Sequence, residues 1–300
     1  MQHPIAIVGP TAAGKSGLAV ALARCLQGEI VSVDSMQVYR GMDIGTAKLP
    51  PAERGGVPHH LLDRLDVTEP ATVAAFQLWA RAAIADCLAR DVTPVLVGGS
   101  ALYVRAVLDR FTFPGTDPAV RQRLEQELAR LGPPTMHERL AALDPAAAAR
   151  ILSTNGRRIV RALEVVSLTD RPYTATLPAY EYAYADVTAI GVDVPRDVLD
   201  ERIAARVAAM WAAGLVDEVR RLEHAGLRCG RTASRALGYA QVLRFLSGEC
   251  TEAQAHAETI RATTRFARRQ DSWFRKDPRI TWLPYAADDL VERAVRVVGR

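Results

Sequence analysis

The sequence predicts an α/β protein: a parallel sheet core flanked by helices, with an inserted all-helical domain and a helical C-terminal region. Three observations carry this reading. Short apolar runs at 5–8, 30–33 and 95–97 alternate with helical patterns at 17–26 and 71–89, the arrangement of a parallel sheet with right-handed crossovers. The first run passes directly into Gly9-Pro10-Thr11-Ala12-Ala13-Gly14-Lys15-Ser16, which fits G-x-x-x-x-G-K-[ST] in the strand–loop–helix context where that pattern has mechanical meaning. From about 112 to 185 the chain turns rich in alanine, leucine and arginine, and a buried-strand pattern resumes at 187–194. The expected domains are therefore 1–111 plus 186–300 as one discontinuous core, and 112–185 as the insertion.

Composition sets the outer limits. The chain has 300 residues, 49% hydrophobic and 24% charged, ordinary values for a soluble globular protein with a real core. A first strand beginning by Ile5 leaves no room for a signal peptide. No apolar run reaches the roughly 18–20 residues needed to span a bilayer. The expected location is cytoplasmic. Cys25, Cys87, Cys229 and Cys250 are widely scattered, which argues against a zinc site or a disulfide framework. The net charge of +4 is carried almost wholly by arginine, the only lysines being Lys15, Lys48 and Lys276. Such a balance permits a polyanionic partner without requiring one.

Taken in order, the glycine-rich turn after the first strand is a phosphate cradle. Its backbone N–H groups converge on an anion at the positive end of the following helix. Lys15 adds a point charge for the outer phosphate, and the Ser16 hydroxyl can hold Mg2+. The second strand leads into Asp34-Ser35-Met36-Gln37; the Asp34 carboxylate can ligate magnesium, act as a general base or cap a helix. Adjacent His59 and His60 point to opposite faces of an extended segment, so one is expected to pack and the other to meet solvent. The third strand ends in Gly98-Gly99-Ser100. Many nucleoside triphosphatases carry a metal-binding aspartate there, and its lack weakens an ATPase or GTPase reading. In open α/β sheets ligands sit beyond the carboxyl ends of the strands, so the three ends should meet at one crevice.

In the insertion, Asp117 can cap a helix whose first position is Pro118, with breaks at Gly132-Pro133-Pro134 and Asp144-Pro145. After the resumed strand, helices are expected over 198–213, 215–225, 234–247 and 252–274. Two stretches are strongly basic. Arg157, Arg158 and Arg161 share one side of a helix, while Arg261, Arg265, Arg268 and Arg269 recur at helical spacing among Phe266, Trp273 and Phe274. Few acids are interleaved. Guanidinium groups for phosphate and aromatic faces for unstacked bases suit single-stranded RNA.

These segments together resemble one family, the tRNA dimethylallyltransferases. The likeness runs through the loop 9–16, Asp34-Ser-Met-Gln-Val-Tyr-Arg40, Asp43-Ile-Gly-Thr-Ala-Lys48, Gly56-Val-Pro-His-His-Leu61, Gly98-Gly-Ser-Ala-Leu-Tyr103, the Arg157-Arg158-Ile159-Val160-Arg161 helix, Arg235-Ala236-Leu237-Gly238-Tyr239 and residues 264–274. Departures are small: Ser100 stands where the family usually has threonine, Gly156 for a common aspartate, Leu237 for isoleucine. The resemblance implies a P-loop NTPase-like core, Mg2+, dimethylallyl diphosphate and the tRNA anticodon stem-loop as ligands, and a monomer. It implies Asp34 as the base, with Ser100 and Lys15 beside it in catalysis. Gly9, Pro10, Thr11, Ala12, Ala13, Gly14, Lys15, Ser16, Arg202 and Arg206 would hold the diphosphate. Residues 34–37, Ser100, Arg121, 157–161, 235–239, Arg268, Arg269, Gln270, Trp273 and Arg275 would meet tRNA. The competing readings are an isopentenyltransferase on free adenine nucleotides, a P-loop small-molecule kinase, and a non-catalytic RNA-binding protein.

Overall fold

The computed structural model describes residues 2–173 and 179–299. The chain divides into two compact units, Met1–Asp109 with Tyr182–Arg300, and Arg110–Glu181. The first unit is built on six parallel strands: β1 (Ile5–Val8), β2 (Glu29–Ser32), β3 (His59–His60), β4 (Pro94–Gly98), β5 (Thr188–Asp193) and β6 (Ile280–Pro284). Their order across the sheet is β3-β2-β4-β1-β5-β6. Every crossover is helical or long, as parallel pairing requires.

The helices are α1 (Lys15–Cys25), α2 (Val73–Ala89), α3 (Ala101–Leu108), α4 (Pro118–Leu143), α5 (Pro145–Ala148), α6 (Gly156–Thr169), α7 (Arg196–Ala212), α8 (Leu215–His224), α9 (Tyr239–Leu246), α10 (Glu252–Phe274) and α11 (Leu290–Val298). Both faces of the sheet are covered, so its central strands read as continuous apolar runs. Ala6, Val8, Val31 and Leu96 face one layer with Phe76, Ile84, Val107 and Tyr239. Ile5, Ile7, Ile30 and Val95 face the other with Leu22, Ile203 and Val207.

Three features depart from the sequence expectations. The 234–247 helix is broken: a short turn at Ala233–Arg235 precedes α9, because Gly238 adopts φ 86° and ends the helical path. The C-terminal region holds an edge strand, β6, besides helices. It ends in Pro284, which an edge tolerates because one side needs no ladder hydrogen bond. The histidine pair forms the opposite edge strand, and both side chains are half-buried and bonded. His59 Nδ1 lies 2.8 Å from the Val57 carbonyl and His60 Nε2 2.7 Å from Glu29 Oε2. Arg90 forks onto the same carboxylate at 2.7 and 2.8 Å and holds Glu29 down at about 2. Burial and that carboxylate push the adjacent Cys87 thiol up to about 11. Glu29, His60 and Cys87 have metal-ligand chemistry, but the guanidinium already supplies the cation.

The second unit packs α4, α5 and α6 around Leu124, Met136, Leu140, Ile159 and Leu163. Asp117 Oδ1 accepts from the Ala119 and Val120 N–H groups at 2.8 and 3.0 Å, and α4 kinks at Gly132 before its two prolines. Glu164 is fully buried. It accepts from Arg121, Arg161, Thr116 and the Asp117 N–H. Burial alone raises its pKa, but these hydrogen bonds outweigh burial and hold it at about 2. Its contribution to stability is therefore present above about 4.5 and is lost as pH falls from there through about 2. Arg121→Ala is expected to cost this unit about 2 kcal/mol, less than a fully enclosed pair because Arg161 remains. A shifted denaturant midpoint at pH 7, shrinking at pH 2, is the check.

Candidate active site and nucleic-acid interface

The carboxyl ends of β1, β2 and β4 bring the loop 9–16, Asp34 and Gly98-Gly99-Ser100 to one end of the sheet. The loop coils because Gly9, Ala12 and Gly14 all take positive φ, 139°, 63° and 93°. For Ala12 that conformation is strained, the kind of local cost found where backbone N–H groups must point at a ligand. Lys15 and Ser16 then open α1, so the loop sits at its positive end. Lys15 Nζ donates to the Pro10 carbonyl at 2.5 Å. Burial, with the nearby Arg206 guanidinium adding to it and Asp34 opposing both, lowers the Lys15 pKa to about 7.

Arg206 is itself depressed by burial, with Asp34 countering. It comes from α7, one turn after Arg202, which stacks on Tyr285 at 4.6 Å. Two cations and one carboxylate, all partly buried, thus lie within electrostatic reach of one another. Such a cluster has the charge to hold a multiply charged anion with a carboxylate beside it. Asp34 is half-buried, and its Oδ1 accepts from the Met36 N–H at 2.8 Å. Ser100 occupies the N-cap of α3 without making a side-chain cap bond. Its hydroxyl is left for other work.

The donor set suits magnesium in one way only. Ser16 offers a single neutral oxygen, and no carboxylate follows β4. Ser16 would be the residue to hold Mg2+ here, and a bound anion and water would have to provide its remaining oxygen ligands.

Several residues expected to touch RNA are turned inward. Ile159, Val160, Ala236 and Tyr239 are buried, so their side chains cannot reach a polyanion. Gln37 Oε1 accepts from Ser32 Oγ at 3.0 Å, while its Nε2 donates to the Thr46 carbonyl at 3.1 Å. Gln270 is buried as well, with both ends of its amide bonded. Arg121 and Arg161 are committed to Glu164. The expectation that few acids neutralise the basic faces also changes: Glu258 and Asp271 on α10 itself, and Asp200 and Asp193 brought up by tertiary folding, supply them. Arg261 and Arg265 pair with Glu258, Arg268 with Asp200, and Arg275 with Asp193 and Asp271 while stacking on Trp282. Among the described residues Arg157, Arg235 and Arg269 are exposed without a carboxylate partner, and Trp273 is 42% exposed.

Two anchors went unread in the sequence. Glu218 is buried and accepts from the Asp43, Ile44 and Gly45 N–H groups and from the Tyr239 hydroxyl. Lys48 Nζ reaches the Tyr39 carbonyl, Asp43 and Asp63. Together they fix the 43–48 loop that Gln37 holds from beneath. Glu218 looks in sequence like any acid at the start of a helix; only long-range folding shows its role.

The comparisons with known proteins identify the family. The family model described as IPP transferase matches residues 37–277. A tRNA dimethylallyltransferase of Streptomyces avermitilis is 67% identical over 96% of this chain and 92% of its own length. One of Nocardioides sp. is 64% identical over 98% and 95%. The crystal structure of the full-length tRNA isopentenylpyrophosphate transferase from Bacillus halodurans superposes with a TM-score of 0.73 at 39% identity, covering 100% of this chain and 96% of that one. On a match that spans the core, the site and nearly all of the chain, this protein belongs to the IPP transferase family.

Proposed function

We propose that the protein transfers a dimethylallyl group from dimethylallyl diphosphate to N6 of adenine 37, beside the anticodon, in tRNAs that read codons beginning with U. The observation that carries this is the convergence of the phosphate loop, Asp34 and Ser100 at the carboxyl ends of β1, β2 and β4, with Asp34 within electrostatic reach of Lys15 and Arg206. The N6 lone pair is delocalised into the ring, so the amine needs a base, and the leaving diphosphate needs fixed positive charge. Transfer breaks the allylic C–O bond, whose electron pair leaves on the diphosphate, and makes a C–N bond from the N6 lone pair. Asp34 takes the N6 proton; Lys15, Arg206 and the loop N–H groups stabilise the departing charge. Mg2+, held through Ser16, supplies further positive charge there when bound. Ser100 orients the amine or the diphosphate. The adenine must leave its stack to enter, at a cost of a few kcal/mol. In the sheet unit Arg235, Arg268, Arg269 and Trp273, and separately in the insertion Arg157 and Arg158, are exposed groups with the chemistry to meet RNA phosphates and bases.

Incubation with unmodified tRNA and either labelled dimethylallyl diphosphate or labelled ATP is the test. Label is expected in RNA only from the prenyl donor. Label transferred from ATP, or prenylation of free adenine nucleotides alone, would overturn the reading. The basic face has its own signature: Arg268→Ala with Arg269→Ala should raise the KM for tRNA and reduce the slope of log affinity against log salt by about one to two. The kinase alternative is disfavoured by Gly98-Gly99-Ser100, which leaves no carboxylate after β4.

A further inference from the structure

We infer that Gln270 is a positioning residue of the diphosphate loop, acting from α10, and makes no contact with RNA. It lies in the middle of the Arg268-Arg269-Gln270-Asp271-Ser272-Trp273 segment, whose other members are largely exposed, yet it is only 7% exposed. Its Oε1 accepts from the Thr11 N–H at 2.9 Å, and its Nε2 donates to the Gly99 carbonyl at 2.6 Å. One side chain therefore joins the β1–α1 loop to the β4–α3 turn from a helix more than 170 residues away in sequence from the turn and 259 from the loop.

The chemistry leaves little freedom at this position. The amide must offer an acceptor on one side and a donor on the other, which a carboxylate cannot do. Both partners are backbone groups, the Gly99 bond buried and the Thr11 bond part-buried, and leaving the buried one unpaired is costly. Gly99 belongs to the same device: a Cβ there would lie 2.4 Å from Gln270 Nε2. The clamp also has a consequence for the cradle. The Thr11 N–H is consumed by Gln270, so anion binding falls to the N–H groups after it, to Lys15 and to Arg206. Fixing Thr11 sets where those later N–H groups point. On α10, Arg268 and Arg269 face solvent while Gln270 faces the loop, so neighbouring residues of one helix serve different substrates.

This proposal rests on the diphosphate reading of the loop, and its test separates the two. Inorganic pyrophosphate with Mg2+ is titrated calorimetrically into wild-type protein and into Gln270→Leu and Gln270→Glu. Pyrophosphate affinity is expected to fall about tenfold in Gln270→Leu and further in Gln270→Glu. Steady-state kinetics should show the KM for the prenyl donor rising while tRNA affinity changes less than twofold. Equal pyrophosphate affinity in folded variants, or a loss confined to tRNA, would overturn the clamp. Should Gln270→Leu fail to fold, hydrogen exchange at the Thr11 amide of wild-type protein decides. Protection comparable to the β1 amides supports the clamp, and exchange at an open-loop rate overturns it. Wild-type protein that binds no pyrophosphate would instead overturn the diphosphate reading, while the Thr11 amide still reports on the clamp.

Discussion

Asp34→Asn is expected to fold, bind tRNA and lose prenyl transfer by about 10²–10⁴-fold in kcat, the usual worth of a positioned general base. The substitution is chosen for its geometry. Oδ1 accepts from the Met36 N–H, and asparagine keeps that acceptor, so the turn after β2 survives while the proton acceptor is lost. Asp34→Ala should lose as much rate and also loosen the turn. Rapid-quench measurement with labelled donor, beside tRNA binding by filter retention, separates chemistry from recognition. Turnover of Asp34→Asn within a few-fold of wild type would remove Asp34 as the base. A parallel loss of tRNA affinity would make it a contact residue.

Lys15→Ala is expected to lower kcat by about 10²–10³-fold, the cost of one preorganised charge on a developing anion. The pH dependence is the sharper signature. Burial, with Arg206 assisting, brings the Lys15 pKa to about 7, below its unfolded value of 10.5. The ligand-free protein therefore gains stability as pH rises from about 7 towards 10.5, because the unfolded chain binds the extra proton across that window. Binding of an anion works in the opposite direction. Below about 7 the lysine is already charged; above it, each binding event takes up a proton. Pyrophosphate affinity should then fall by up to about tenfold per pH unit above 7, against the gain that further ionisation of the ligand would bring. Lys15→Arg, which stays charged throughout, should remove that added slope. Identical profiles for wild type and Lys15→Arg would mean that Lys15 is charged before the ligand arrives.

These expectations depend on parts that the sequence reveals unequally. The phosphate loop, the Asp34 turn and the insertion breaks are local. Each is specified by neighbours within a few residues: glycines that permit positive φ, Asp117 ahead of Pro118, an apolar run ahead of a glycine turn. Local chemistry is legible because it acts over one turn of chain. The central strands were equally plain, since burial on both faces makes them continuous in apolar character. β3 and β6 were not, because edge strands of two and five residues carry mixed composition and are defined by their partners.

The charged residues divide in the same way. By helical spacing alone, Arg121, Arg161, Arg268 and Arg269 are equivalent candidates for RNA. Folding separates them by what lies opposite: a buried carboxylate for the first two, Asp200 for the third, solvent and the Phe266 ring for the fourth. Gln270 and Glu218 show the same limit from inside the core. An amide and a carboxylate on helices carry no mark of burial until a loop some 170–260 residues distant supplies its backbone groups. Short-range backbone geometry and binary patterning encode the central strands, the glycine-rich loop and the place of Asp34 after the second strand, while the reading of Asp34 as a base comes from the family resemblance. Which polar residues stay exposed and which are buried to hold loops in place emerges only on folding. That choice depends on desolvation by groups remote in the chain, which no local pattern records.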